Sequence, residues 1–362
     1  MISVDYKEYV QSTYLKTAAA SMCASRGLDI LAIPRGPRGQ SCKLPSWVPD
    51  WSDTNPQPCP LDGSSLGTSG AACRTFNATR GSPFIETPDN LQFKGTGLVL
   101  DGYPIARIVT LCVPLTNMEY DVDVLTYYQN VQRFVGQIQN VTDDYQNLST
   151  ILHDTFGYLV TVAKKMIEVT REVSSSLNAW EELALSHGDE AYPTGEDVRV
   201  VFKEVLAAGT YQSAGQDADD IWEKWHDRMR DMQAFVEGEM SQLPDDPQNI
   251  HQYLAWFRAI EKFPVIKPFF STDQGWQTMS QKYWVIARAM YRRLARTDTG
   301  HLALCPEEAS TDDVVVLLKG GKTTYVVRKV ADGWHFVGDC YMHGLMNGEA
   351  WDESKCRPTT LV

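Results

Sequence analysis

Asp313-Val-Val-Val-Leu-Leu-Lys-Gly-Gly-Lys-Thr-Thr-Tyr-Val-Val-Arg-Lys-Val-Ala-Asp-Gly-Trp-His-Phe-Val-Gly-Asp-Cys340 reads as three β-strands joined by two turns. Asp313 to Lys319, Thr323 to Val330 and Trp334 to Cys340 are rich in β-branched and aromatic residues, which fit a pleated, half-buried surface. Gly320-Gly321 and Asp332-Gly333 tolerate the positive φ of tight hairpin turns. Upstream, Asp298-Thr-Gly300 is a turn between further short strands. An open sheet of such strands leaves unpaired edges.

A β island far upstream can cover those edges. Leu91 to Tyr103 and Ile105 to Leu111 are β-like, with Gly95, Gly97 and Gly102 placed for bulges and bends. A lone ribbon is marginal in water, so the island is predicted to join the later strands and close a barrel. Loop-closure entropy permits the long separation, since each doubling of length costs only about 0.6 kcal/mol. The intervening chain reads as helical. Thr194-Gly-Glu-Asp197 heads one helix, ending near Gly209. Trp222 to Val236 mark a second and Tyr253 to Ile260 a third. In a fourth, Tyr283, Ile286, Met290 and Leu294 share one face while Lys282, Arg288, Arg292 and Arg296 share the other.

At the amino-terminal end, Asp5-Tyr-Lys-Glu8 has the form of a capping box. A helix follows through Tyr14 and Met22, closed by Gly27, and Leu28 to Ile33 reads as a short strand. Leu44-Pro-Ser-Trp-Val-Pro-Asp-Trp-Ser52 is held extended by its two prolines. The predicted fold class is therefore α+β: a small β-barrel built from discontinuous segments with a large, mostly α-helical insert. Residues 1–52 form a helix, strand and Trp/Pro segment, and 53–90 a long, Gly/Ser/Pro-rich flexible loop. Residues 91–115 plus 293–350 form the barrel, 116–292 the insert and 351–362 a tail.

Composition excludes several classes. The 362 residues carry 33 Lys and Arg against 46 Asp and Glu, a net charge of −13, which argues against a general nucleic-acid binder. No apolar run is long enough for a transmembrane helix. The first residues show no secretory signal, so the expected location is cytoplasmic. The 8 cysteines contain no Cys-x-x-Cys spacing and read as reduced thiols filling the core. The sequons at Asn77, Asn140 and Asn147 are then chance matches. Residues 181–250 hold 17 acids and 5 bases, and 251–296 hold 8 bases and 2 acids. The expectation is that the acidic stretch faces the basic helix at Arg288 to Arg296.

Motifs of catalysis are incomplete. Gly63-Ser-Ser-Leu-Gly67 has the spacing of a nucleophile elbow without a strand before it or a helix after it. Gly321-Lys322-Thr323 resembles a phosphate loop, but Val316 stands at its first glycine and a strand follows. Gly95-Thr-Gly97 lacks the third glycine of a dinucleotide fingerprint, position 100 being Leu100. His187-Gly-Asp-Glu190 reads as a solvated turn. Tyr341-Met-His-Gly-Leu-Met-Asn-Gly-Glu349 places His343 and Glu349 just after a strand, a catalytic option that needs a third partner.

Several segments together resemble one family. The helix ending in Leu28-Asp-Ile-Leu31, the Trp-Val-Pro-Asp-Trp-Ser run at 47–52 and Tyr192-Pro-Thr-Gly-Glu196 resemble the carboxyl-terminal part of fungal heterokaryon incompatibility (HET domain) proteins. So do Asp313 to Gly321, Val326-Val-Arg328, Val337-Gly-Asp-Cys-Tyr341 and His343 to Glu349, which resemble that family's terminal β module. The resemblance implies fungal non-self recognition and programmed cell death. In the family, death induction is attributed to an amino-terminal, distantly TIR-like HET domain, which would lie before residue 1. The chain is then a shortened member or a truncated gene model. The resulting expectation is a non-enzymatic interaction or regulatory module. It has a protein partner of unknown identity, no nucleic acid, no membrane span, no cofactor and no assigned catalytic or metal residue. The alternatives are an enzyme with a site near the barrel rim at His343 and Glu349, or a non-functional truncated product.

Overall fold

The computed structural model describes residues 9–33, 44–52, 58–61, 75–84, 91–115, 145–186, 191–211, 218–247, 250–262 and 288–362. The capping box at Asp5 to Glu8, the elbow at Gly63 to Gly67, the cluster at His187 to Glu190 and the sequon at Asn140 lie outside them. Eight strands form one sheet: β1 Gln92–Lys94, β2 Gly97–Leu111, β3 Arg292–Thr297, β4 Leu302–Pro306, β5 Val314–Leu318, β6 Thr324–Val330, β7 Gly333–Met342 and β8 Arg357–Leu361. The order β2-β3-β4-β7-β6-β5 returns to β2 through a further antiparallel pairing, so six strands close a ring. The upstream island and the carboxyl-terminal strands therefore share one sheet.

The 15-residue strand β2 closes the ring by bending. It pairs with β8 over 98–102, with β5 over 102–107 and with β3 over 108–111. Its registers shift between Pro104 and Ala106 and between Ile108 and Thr110, the irregularities that let one strand turn a corner. At Gly102 a Cβ would lie 2.4 Å from the Leu317 carbonyl oxygen, so the crossing requires glycine.

One apolar cluster takes a side chain from every strand of the ring: Ala106 and Ile108, Ala295, Ala303 and Cys305, Val315, Val326, and Val337, Cys340 and Met342. That set is the ring's interior. Its small residues suit the narrow space inside six strands. A second cluster lies on the other face, where Leu98, Leu100, Val316, Leu318, Tyr325, Val327, Phe336 and Leu361 meet the amino-terminal segment. Helix α1 (Val10–Ser25) contributes Ala18 and Met22, and Trp47 and Val48 complete the layer. Trp47 donates its indole N–H to the Thr96 carbonyl at 3.0 Å.

Five expectations are corrected. Leu28 to Ile33 is not a strand: Asp29–Ala32 is a 3-10 turn, with Leu31 N–H bonded to the Leu28 carbonyl. Among the described residues no strand pairs with it, and burial against the sheet face favours the tight turn. The left-handed residue after α1 is Arg26, φ 52°, rather than Gly27. Arg288 to Arg296 is not helical. The chain passes through Tyr291 at φ 57° and enters β3. Over six residues a period of two and a period of 3.6 fit equally well, and pairing with β2 and β4 selects the strand. The tail carries β8, whose ladder runs from Leu98↔Leu361 to Gly102↔Arg357. Finally, the described parts of 53–90 are docked. Leu61, Phe76, Ala78 and Thr79 are buried, and Asn77, Ala78 and Arg80 bond to Met346, Lys322 and Gly348.

The chain divides into two compact units, Met1–Leu115, Ala179–Ala218 and Trp284–Val362 in one, Thr116–Asn178 and Asp219–Tyr283 in the other. The described part of the second is helical. It holds the first part of α2 (Tyr145–Leu185), nearly all of α4 (Ala218–Gly238) and α5 (Ile250–Lys262). Val160, Ala163, Ile167 and Val173 of α2 are buried, as are Trp222, Met229, Met232 and Val236 of α4 and Trp256 of α5. The last turns of α2 and all of α3 (Val198–Leu206) fall in the first unit, so the helices between β2 and β3 are divided between the two units.

Candidate functional site

Strand β7 ends at Met342, and the next residue, His343, is the buried centre of a polar cluster. Its backbone N–H still bonds to the Leu302 carbonyl on β4, and Gly344 at φ 88° turns the chain away. From the opposite side comes Tyr192-Pro-Thr-Gly-Glu196. Gly195 at φ 80° donates its N–H to the Tyr192 carbonyl at 2.7 Å, closing a turn that delivers Glu196 to His343. Glu196 Oε2 lies 2.8 Å from His343 Nε2, and Tyr341 Oη lies 3.0 Å from Nδ1. Tyr192 Oη donates to the His343 carbonyl and accepts from Leu302 N–H, both at 3.1 Å. Thr194 Oγ1 donates to Glu196 Oε2 at 2.6 Å.

Helix α3 frames the cluster. Asp197 alone is its N-cap, accepting from Arg199 N–H at 2.8 Å, which frees Glu196 for the histidine. At its far end Ala208, φ 45°, and Gly209 close a Schellman motif through Gly209 N–H to the Glu204 carbonyl. Gly209 packs on Tyr341: a Cβ there would come within 2.8 Å of its ring. Phe76 covers the same ring with centroids 5.6 Å apart.

The Thr194 hydroxyl, helped by His343, holds the Glu196 carboxyl below its ordinary value despite some desolvation. Burial pushes the Tyr192 hydroxyl up. Burial, then the neighbouring His343, depresses His301, whose ring meets Tyr192 edge-on at 5.7 Å. The Glu196 carboxylate faces Nε2 of His343 and the Tyr341 hydroxyl faces Nδ1, the donor in each bond following the ring's tautomer. Carboxylate, imidazole and hydroxyl thus stand in the order that activates a nucleophile. Here the hydroxyl is enclosed by Phe76 and Gly209, and the chain of bonds fastens β7 to the segment before α3.

The structure does not join His343 to Glu349. Glu349 accepts from Asn347 N–H at 2.7 Å and closes its own turn. The carboxylate that meets His343 is Glu196, 147 residues earlier in the chain, a pairing with no local signal. Gly321-Lys322-Thr323 links β5 to β6, and Lys322 pairs with Asp29 at 2.8 Å. Gly95-Thr-Gly97 is the β1–β2 turn.

A second polar centre was missed in the sequence. Arg292, fully buried, pairs with Asp339 Oδ1 at 2.8 Å and donates to the Asp339 and Cys59 carbonyls. Asp339 Oδ2 accepts from Leu61 N–H, and the Arg288 guanidinium bonds to the Leu61 carbonyl. Arg296 donates to the Leu183 and Ala184 carbonyls, the negative end of α2. Arg296 thus meets the 181–250 stretch at its backbone, and the carboxylate that pairs with Arg292 is Asp339 of β7. Among the described residues, no group of three or more His, Cys, Asp or Glu is placed to hold a metal. No described helix is long and apolar enough to cross a membrane.

Residues 197–362 match the family model of the Het-6 beta-barrel domain. No curated protein and no solved structure matches the chain. The matched region starts at the N-cap of α3 and contains β3 to β8, while Glu196 and the ring-closing strand β2 precede it.

Proposed function

We propose that this chain, which carries the Het-6 β-barrel module of the heterokaryon-incompatibility family over residues 197–362, is a non-enzymatic interaction or regulatory module. Its setting is fungal non-self recognition and programmed cell death, in the cytoplasm, with a protein as partner. The observation that carries the non-enzymatic reading is the His343 cluster. Both ring nitrogens are engaged, by Tyr341 and Glu196, and the Tyr341 ring is packed under Phe76 and against Gly209. In this reading the groups of the cluster hold the fold.

Support for a protein partner comes from the amino-terminal layer. Tyr9 is 82% exposed, Val10 is exposed, and Trp51 meets Tyr14 edge-on at 5.1 Å on the surface. Large aromatic side chains of this kind are enriched where proteins bind proteins. The test is incubation of the purified chain with NAD and with ATP, following products by chromatography. The expected outcome is no turnover. Turnover that co-purifies with the chain and disappears in His343→Gln would instead make the cluster an active site.

A further inference from the structure

Cys305 on β4 and Cys340 on β7 lie inside the ring with their Sγ atoms 3.6 Å apart. Both are free thiols, fully buried. The β4–β7 ladder pairs Ala303 with Met342 and Leu304 with Tyr341, so the next step along it sets Cys305 opposite Cys340. Directly opposed residues of antiparallel strands have Cα atoms about 4.5–5.5 Å apart. That is within the span of about 4.4–6.8 Å that a disulfide bridges. We propose that Cys305 and Cys340 are a redox pair, joined by hydrogen peroxide into a disulfide that staples the β4–β7 seam.

The chemistry balances with peroxide as the two-electron oxidant. One thiolate attacks peroxide and becomes a sulfenic acid, releasing hydroxide. The second thiol attacks that sulfur, the S–S bond forms, and the hydroxyl leaves with the thiol proton as water. Two thiols and one peroxide give one disulfide and two waters. Access comes through the seam itself. It holds two registered pairs, against seven between β6 and β7, and is the shortest ladder in the ring. In the closed ring, the Cys340 thiol and burial both push the Cys305 thiol up, so the reactive thiolate forms when the seam opens. Peroxide therefore converts an opening seam into a covalent one.

The reduced full chain is treated with hydrogen peroxide, quenched with N-ethylmaleimide in denaturant, digested and mapped by mass spectrometry. The expected dominant cross-link joins the Cys305 and Cys340 peptides. It raises Tm, and dithiothreitol reverses both changes. Removal of the exposed thiol in Cys59→Ala leaves the cross-link in place, and Cys340→Ala abolishes the rise in Tm. Should Cys340→Ala fail to fold, the wild-type map decides alone. Recovery of Cys305 and Cys340 as maleimide adducts after Cys59 has oxidised overturns the proposal. So does linkage of either to another cysteine, or a Cys305–Cys340 link that leaves Tm unchanged.

Discussion

Arg292 and Asp339 show what a single buried pair does in this molecule. The two side chains come from β3 and β7, strands separated in the ring by β4, and they also bind the segment at 59–61. Removing one partner strands a charge without solvent. Asp339→Leu is therefore expected to cost about 3–5 kcal/mol in urea unfolding, with Arg292→Met/Asp339→Leu costing less than the single change. A double variant no better than the single one would show that the pair is not coupled. Acid should weaken the fold through Glu196 and His301. The depressed Glu196 carboxyl contributes stability above its unfolded value near 4.5, lost as pH falls through its lower folded value. Burial favours the neutral form of His301 in the fold, so stability also declines as pH falls below its unfolded value of about 6.5. Tm should drop from pH 7 to pH 4, and Glu196→Gln should shrink the lower part of that drop. An unchanged profile in Glu196→Gln would remove Glu196 from the account. His343 itself was visible in the sequence as an oddity after a strand. Its partner was not, because side-chain pairing across 147 residues leaves no trace in local pattern.

At the scale of elements, hairpin chemistry was the most legible feature. Gly320-Gly321 and Asp332-Gly333 turn where their residue types require, and β5, β6 and β7 follow in the expected places. Two short elements were misread for the same physical reason. Leu28 to Ile33 is apolar enough for a strand, and Arg288 to Arg296 is periodic enough for a helix. Neighbours, not propensity, decide both. β8 was overlooked because Arg357-Pro-Thr-Thr-Leu361 is short and holds a proline. It nonetheless pairs with β2 over five registered positions, and Val362 beyond it bonds to Trp334 and Ser46. Deletion of residues 357–362 is expected to lower Tm by several degrees and to raise exchange in 98–102. Unchanged exchange there would make β8 an ornament on the sheet.

For the whole molecule, the central claim is that β2 completes the ring. Residues 97–111 lie outside the matched family region, yet they pair with β1, β3, β5 and β8. Sequence reasoning reached this joining through the edge problem: a ribbon and an open sheet each lacked a partner. The division of the helical region between two units was not legible, since amphipathic faces do not name the surface they cover. Amide hydrogen exchange of the full chain, resolved along β2, tests the claim most directly. If β2 closes the ring, its amides between Leu98 and Thr110 exchange as slowly as those of β6 and β7, through the same global opening. Exchange of β2 many-fold faster than β6 and β7, with β3 to β7 still protected, would show that the carboxyl-terminal strands stand without it and contradict the account.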